Sequence, residues 1–233
     1  MKRLFDVFAS GFALLLVGPM FLLVMLILRL TGEGKVWYRQ PRVGYKGREF
    51  QVLKFVTMLE KSESMGTQDI TLRNDPRVLP VGRVLRKAKI NELPQIINIL
   101  KGDMSVVGWR PLMPKSFAMY PEHVQAQIIN VPPGLTGIGS IIFRDEEAIV
   151  EASDLEPREV YEQIIAPYKG ELELWYQKHQ SFWLDMKIIF ATAWMVLRPT
   201  STAYLRWFSN LPPRPEALEP KATRGRHEPA ASA

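Results

Sequence analysis

The chain has 233 residues, a formal charge of +6, 47% apolar residues and no cysteine. The apolar share supports a packed core and excludes a wholly disordered chain. The missing cysteine excludes disulfides, thiolate metal cages and a thiol nucleophile, and His123, His179 and His227 are too few for a histidine-rich zinc site, so chemistry falls to carboxylates, hydroxyls and basic groups.

Charge is unevenly placed: residues 29–115 carry 17 basic and 8 acidic side chains, residues 116–233 carry 11 and 15. The first half therefore suits nucleic acid, phosphorylated small molecules or an anionic membrane surface.

From Val7 to Leu28 the chain runs 22 residues without a charge, about 33 Å as a helix, which reaches through a hydrocarbon core of ~30 Å. The run exceeds a signal-peptide core, and no small-x-small cleavage site follows it. Lys2 and Arg3 precede it, and Arg29, Lys35, Arg39 and Arg42 follow, so the positive-inside bias assigns both ends to the cytoplasm. Gly18-Pro19 falls near the middle, where proline removes a backbone donor and clashes with the preceding turn, and a kink is expected. The residues alone leave a spanning helix and a re-entrant one equally open.

Beyond it, Lys35-Val-Trp-Tyr-Arg-Gln and Glu49-Phe-Gln-Val-Leu-Lys-Phe read as two strands joined through Gly44-Tyr-Lys-Gly47. Residues 60–75, with Gly66 and Asn74-Asp75-Pro76, read as an exposed loop. Val81 to Lys89 fits a short amphipathic helix with a cationic face. Asn91-Glu-Leu-Pro-Gln-Ile-Ile-Asn-Ile-Leu-Lys-Gly102 reads as a helix capped by Asn91, with Pro94 in its first turn and Gly102 closing it. Its positive end at Asn91-Glu92 would suit phosphate, although a cap and a dipole partner explain the same two residues.

Glu146 to Glu173 is acidic and reads as helix with a solvated face. Trp183 to Leu197 holds only ten uncharged residues from Ile188, too few to span. It suits a helix in the membrane interface, with Trp183, Trp194 and Trp207 at headgroup depth, or a buried core helix. Pro212 to Ala233 is rich in Pro, Ala and charge and is expected to be disordered.

Arg39-Gln-Pro-Arg-Val-Gly44, Lys54-Phe-Val-Thr-Met58, Asp75-Pro-Arg77, Leu85-Arg-Lys87, Asn91-Glu-Leu-Pro-Gln95, Lys101-Gly-Asp-Met-Ser105, Val107-Gly-Trp-Arg-Pro111 and Pro133-Gly-Leu-Thr-Gly137 occur in an order that resembles bacterial sugar transferases, the monotopic polyprenyl-phosphate phosphoglycosyl transferases. The resemblance covers roughly residues 1–200. It implies a mostly helical α+β fold: a re-entrant membrane helix over 1–30 broken near Gly18 and Pro19, a cytoplasmic catalytic domain with interfacial amphipathic helices over 31–210, and a disordered tail over 211–233.

The implied reaction moves a phosphosugar from a UDP-sugar to polyprenyl phosphate at the cytoplasmic face of the bacterial inner membrane and releases UMP. The implied partners are those two substrates and membrane lipid, with no nucleic acid and with a homodimer as an allowed assembly. The family's Asp-Glu pair, with the Asp as nucleophile and Mg2+ nearby, falls on Asn91 and Glu92. An amide is no substitute for that Asp, because its oxygen is neutral and weakly nucleophilic. Residue-by-residue matching makes Arg86 and Arg110 the phosphate contacts, with Lys54 a lesser candidate, and Glu92 the second carboxylate, with Asp103 or Asp75 as a further oxygen donor for a hard cation. Val56 stands where the family carries Arg, and Trp109 where it carries Pro. Rival readings are an inactive scaffold, which would explain Asn91, and a basic membrane-tethered binding module.

Overall fold

A computed structural model of the chain describes residues 1–60, 62, 75–151, 153, 155–198 and 200–218. The order is α1 (Lys2–Leu30), β1 (Trp37–Val43), β2 (Glu49–Phe55), α2 (Pro80–Lys87), α3 (Gln95–Lys101), β3 (Ser105–Val107), α4 (Pro114–Phe117), α5 (Glu122–Ile128), β4 (Gly134–Thr136), α6 (Ile138–Ile142), α7 (Glu146–Glu151), α8 (Pro157–Val160), α9 (Ala166–His179) and α10 (Phe182–Leu197). The fold is a mostly helical α+β one, as expected. Most of the expected loop at 60–75 lies outside the described residues.

Helix α1 is long and apolar enough to cross a membrane, and its helical backbone continues through Pro19. It has two faces. Phe21, Val24 and Leu28, three and four residues apart, pack on Phe55 and Leu85, while Leu4, Phe8, Phe12, Leu15, Leu22 and Leu26 face outward. Polar contacts fasten its amino-terminal turns. Lys2 Nζ donates to Asp185 (2.7 Å) and to the Tyr176 hydroxyl (2.8 Å). Arg3 donates to the Ile99 and Leu100 carbonyls that end α3. Asp6 accepts from Ser105 Oγ (3.0 Å) and Val106 N (2.9 Å).

Strands β1 and β2 form the expected antiparallel hairpin, with Trp37 opposite Phe55 and Val43 opposite Glu49. Helix α3 is clamped to β2 by Asn98, whose Oδ1 accepts from Leu53 N (3.0 Å) and whose Nδ2 donates to the Gln51 carbonyl (2.8 Å). Gly102 closes α3 in the left-handed conformation (φ 97°), as its position suggests. The helix does not begin at Asn91. Lys89 is left-handed (φ 58°), Ile90–Glu92 forms a single 3-10 turn, and regular helix starts at Gln95 after Pro94. Leu93 and Pro94 already have right-handed helical dihedrals, but the bonds from Leu93 N to Ile90 O, Ile96 N to Leu93 O and Ile97 N to Pro94 O are of the 3-10 type, so Asn91 lies inside a 3-10 entry and is not the cap.

Strands β3 and β4 pair in parallel across a long connection. They meet so closely that a Cβ on Gly134 would lie 2.0 Å from Gly108 N, so only glycine fits there. Helices α6, α9 and α10 close over this pair around Val107, Ile138, Ile141, Leu172, Tyr176 and Ile188.

Two further expectations change. The acidic stretch is not a uniformly solvated face, because Lys169 and Glu173 are buried within it. The packed body also extends past residue 210: Leu218 is buried in the main core, and the Tyr168 hydroxyl donates to the Pro212 carbonyl (3.1 Å). An apolar side chain with a vacant core position gains by filling it whatever the composition around it. The rest of the expected tail, 219–233, lies outside the described residues.

Candidate active site

Each element brings one part of a charged crevice. In β1 the alternation of strand residues turns Tyr38, Gln40 and Arg42 to one half-buried face, and the register sets Tyr38 opposite Lys54, so Lys54 shares that face. The turn before α3 supplies Glu92, and the segment after β3 supplies Arg110. Arg42, Val52, Lys54, Gln95, Arg110 and Pro111 line a narrow crevice.

Glu92 is the hub. Its Oε1 accepts from Arg110 Nη2 (2.9 Å) and lies 3.9 Å from Lys54 Nζ, and its Oε2 lies 3.5 Å from Arg110 Nη1. Lys54 also donates to Gln40 Oε1 (3.3 Å), which accepts from Arg42 as well, and Arg42 Nη1 donates to the Pro111 carbonyl (3.1 Å). The Arg42 Nε–H is buried without a partner among the described residues.

The electrostatics follow from that packing. Burial alone would raise the Glu92 carboxyl, but the Arg110 and Lys54 charges overcome it and hold the group well below the usual carboxylate range. Burial pulls Lys54 down to about 7, with Glu92 opposing and Arg42 and Arg110 adding to the fall. Burial and repulsion from Arg110 lower Arg42 to about 10, and Glu92 raises Arg110. Three cationic side chains thus surround one carboxylate. An excess of positive charge in a part-buried crevice is costly until an anion enters, and two or more phosphate oxygens would satisfy it.

Of the residues expected from sequence, Lys54, Glu92 and Arg110 converge. Arg86 stands close enough to Lys54 to depress it electrostatically, with Nη1 3.5 Å from Met58 Sδ. Asn91 adjoins Glu92 on the 3-10 turn, and its side chain makes no hydrogen bond to another described residue. Asp103 sits beyond α3, where it accepts from Asn98 Nδ2 (3.2 Å) and orients the clamp on β2. Asp75 is buried in a two-pronged pair with Arg77, Oδ1 to Nε 2.9 Å and Oδ2 to Nη2 2.6 Å. Among the described residues no three carboxylates or histidines converge. Glu92, Asp103 and Asp75 therefore do not come together: Glu92 pairs with Arg110 beside Lys54, and the other two serve other partners. Gly18 and Pro19 lie within the continuous span of α1.

Arg42 is the residue that sequence reasoning missed. The signal was present, because residues 38, 40 and 42 share a strand face with Lys54 once the hairpin is recognised.

The bacterial sugar transferase family matches residues 1–199 of the chain. The exopolysaccharide production protein ExoY of Rhizobium meliloti is 40% identical over 159 residues, covering 62% of this chain and 70% of that protein. An undecaprenyl-phosphate glucose phosphotransferase of Komagataeibacter xylinus is 38% identical over 196 residues, 82% of this chain and 35% of its own length. An undecaprenyl-phosphate galactose phosphotransferase of Salmonella typhimurium is 33% identical over 213 residues, 85% of this chain and 40% of its own. The chain thus spans most of the first relative and less than half of the other two.

Proposed function

Because the chain belongs to the bacterial sugar transferase family, we propose that it moves a sugar 1-phosphate from a UDP-sugar to undecaprenyl phosphate and releases UMP, the first membrane step of exopolysaccharide or related glycoconjugate synthesis. The observation that carries this reading is the crevice in which Arg110, Lys54 and Arg42 outnumber Glu92, a ready receptor for a diphosphate.

In the covalent route, a Glu92 oxygen attacks the sugar-bearing phosphorus. The bond from that phosphorus to the bridging oxygen breaks, and UMP leaves with the oxygen and its electron pair. The lipid phosphate then displaces Glu92 to give the polyprenyl diphosphate sugar. Entry of the donor phosphates draws Arg110 and Lys54 away from Glu92 and frees it to react. The tight Arg110 pairing of Glu92 favours a second route, in which the lipid phosphate attacks directly and Glu92 keeps the cations in line. Glu92, Asp103 and Asp75 do not converge among the described residues, and neither route is drawn through magnesium.

Helix α1 is re-entrant in this reading, with the catalytic body on the cytoplasmic face of the inner membrane. What supports this is that Lys2, Arg3 and Asp6 near one end and Phe21, Val24 and Leu28 toward the other all hold the same body. Trp183 and Phe190 of α10 extend the outward apolar face, whereas Trp194 and Trp207 pack on each other and serve the core.

A panel of UDP-sugars with undecaprenyl phosphate and a UMP readout tests the activity. UMP release together with a lipid diphosphate sugar is expected, and a lipid product carrying sugar without diphosphate would overturn the reading. Ping-pong kinetics and a trapped phosphosugar adduct identify the covalent route, and an obligatory ternary complex identifies the direct one.

A further inference from the structure

Glu173 of α9 is 2% exposed, and neither of its oxygens meets a donor in hydrogen-bond geometry. The backbone amides of Arg110 and Gly139 face it from beyond that geometry. Packing around it is tight: a Cβ on Gly139 would lie 2.4 Å from Oε1, and one on Gly137 3.8 Å from Oε2. The adjacent cation, Lys169, is 4% exposed and gives its ammonium to Glu146 of α7. Two carboxylates therefore flank one buried ammonium, and Glu146 holds it. The remaining ionisable groups acting with Glu173 are the Tyr120 and Tyr176 phenols, which burial keeps neutral. A charge on Glu173 would be sealed from water beside an ammonium already paired with Glu146, and burial outweighs the pull of Lys169 and favours the neutral acid.

We propose that Glu173 is a positioning residue of the phosphate site, held as a neutral acid against the Arg110 and Gly139 backbone so that the Trp109-Arg110-Pro111 segment keeps the Arg110 guanidinium on Glu92 and on the incoming phosphate. Ionisation would turn both backbone amides and Lys169 toward a new charge and move Arg110 out of line. Burial pushes the Glu173 carboxyl up to about 8, so that change falls within an assayable range. The activity part of the inference rests on the transferase reading; the protonation state does not.

The test compares the full chain in lipid nanodiscs with its Glu173→Gln and Glu173→Ala variants. Three readouts are followed across pH: melting temperature, UDP affinity by calorimetry, and UMP release. A group whose folded pKa is raised from the ordinary carboxylate value holds its proton more tightly when folded. Its contribution is full at low pH and is lost as pH rises toward about 8. Wild type should therefore melt progressively lower relative to Glu173→Gln over that window, and should lose UDP affinity and turnover more steeply toward alkaline pH than the Gln variant, in which the decline due to Lys54 remains. At neutral pH Glu173→Gln should match wild type within about twofold, and Glu173→Ala should fall by about ten- to a hundred-fold. Parallel melting curves would show that Glu173 is not the neutral acid. Alkaline profiles of UDP affinity and turnover that superimpose for wild type and Glu173→Gln, despite diverging melting curves, would show that it does not position the site. If Glu173→Ala fails to fold, the Gln comparison still decides. A wild type that releases no UMP counts against the transferase reading alone, because melting and UDP affinity still judge Glu173.

Discussion

At the scale of residues, Glu92 and Lys54 fix each other's charge. Glu92→Gln removes the one negative group among Arg42, Lys54 and Arg110 and should abolish UMP release without unfolding the protein, because the amide is nearly isosteric. Asn91→Asp should retain or raise activity by restoring the family's acidic pair, and circular dichroism beside the UMP assay checks both variants. Lys54 supplies a pH dependence whose sign is fixed. It is charged below about 7 and increasingly neutral above it in the free enzyme, so UDP affinity should decline as pH rises through that value. Lys54→Met should bind weakly throughout and show a flattened curve in calorimetric titration. Arg42→Ala should cost about tenfold in UDP affinity, roughly 1.4 kcal/mol, the scale of one charge-assisted phosphate contact. Wild-type affinity in that variant would show that Arg42 only braces Gln40 and Pro111.

At the scale of elements, the sequence disclosed what local chemistry determines. The β1–β2 hairpin was legible from alternation and from Gly44 and Gly47, and the end of α3 from Gly102, because turns and caps are set by a few adjacent residues. The start of α3 differs from its reading because Asn91 resembles a cap, whereas the chain enters the helix through a 3-10 turn at Ile90–Glu92 that follows the left-handed Lys89. The parallel β3–β4 pair was not legible: each strand has three residues, and a long connection separates them, so neither shows a period. The burial of Glu173 was equally hidden, since no local pattern reveals that Gly139 will press against it. Element docking also gives a prediction. The buried Asp185 carboxylate joins Lys2 of α1 to Tyr176 of α9, accepting from the Tyr176 hydroxyl at 2.6 Å. Asp185→Ala should lower stability by about 1–3 kcal/mol by leaving those donors unmatched. A downward shift in a thermal melt, with UDP affinity preserved, is the expected result.

At the scale of the whole molecule, the placement of α1 constrains how the protein meets a bilayer. A helix of 29 residues spans about 43 Å when straight, more than a hydrocarbon core needs. If it crossed the membrane, one end would be carried to the far side and its contacts would be lost: the Lys2–Asp185 pair, the Arg3 cap on α3 and the Asp6 bonds to β3, or else the packing of Phe21, Val24 and Leu28 on Phe55 and Leu85. Retaining both sets requires both ends on one side, with the outward face of Leu4, Phe8, Phe12, Leu15 and Leu22 turned to lipid. The edge-on contact of Phe5 with Phe182, ring centroids 5.9 Å apart, carries that face onto α10. Single cysteines at Lys2 and at Lys35 should therefore both resist an impermeant thiol reagent in intact cells and react after permeabilisation. Labelling of either position in intact cells would refute the re-entrant arrangement. Pro19→Leu should shift the balance toward a straight crossing helix, since it restores the missing backbone donor and removes the ring clash. In that variant a cysteine at Lys2 should become accessible from outside and UMP release should fall with it, because the turns that brace α3 and β3 would leave the catalytic body.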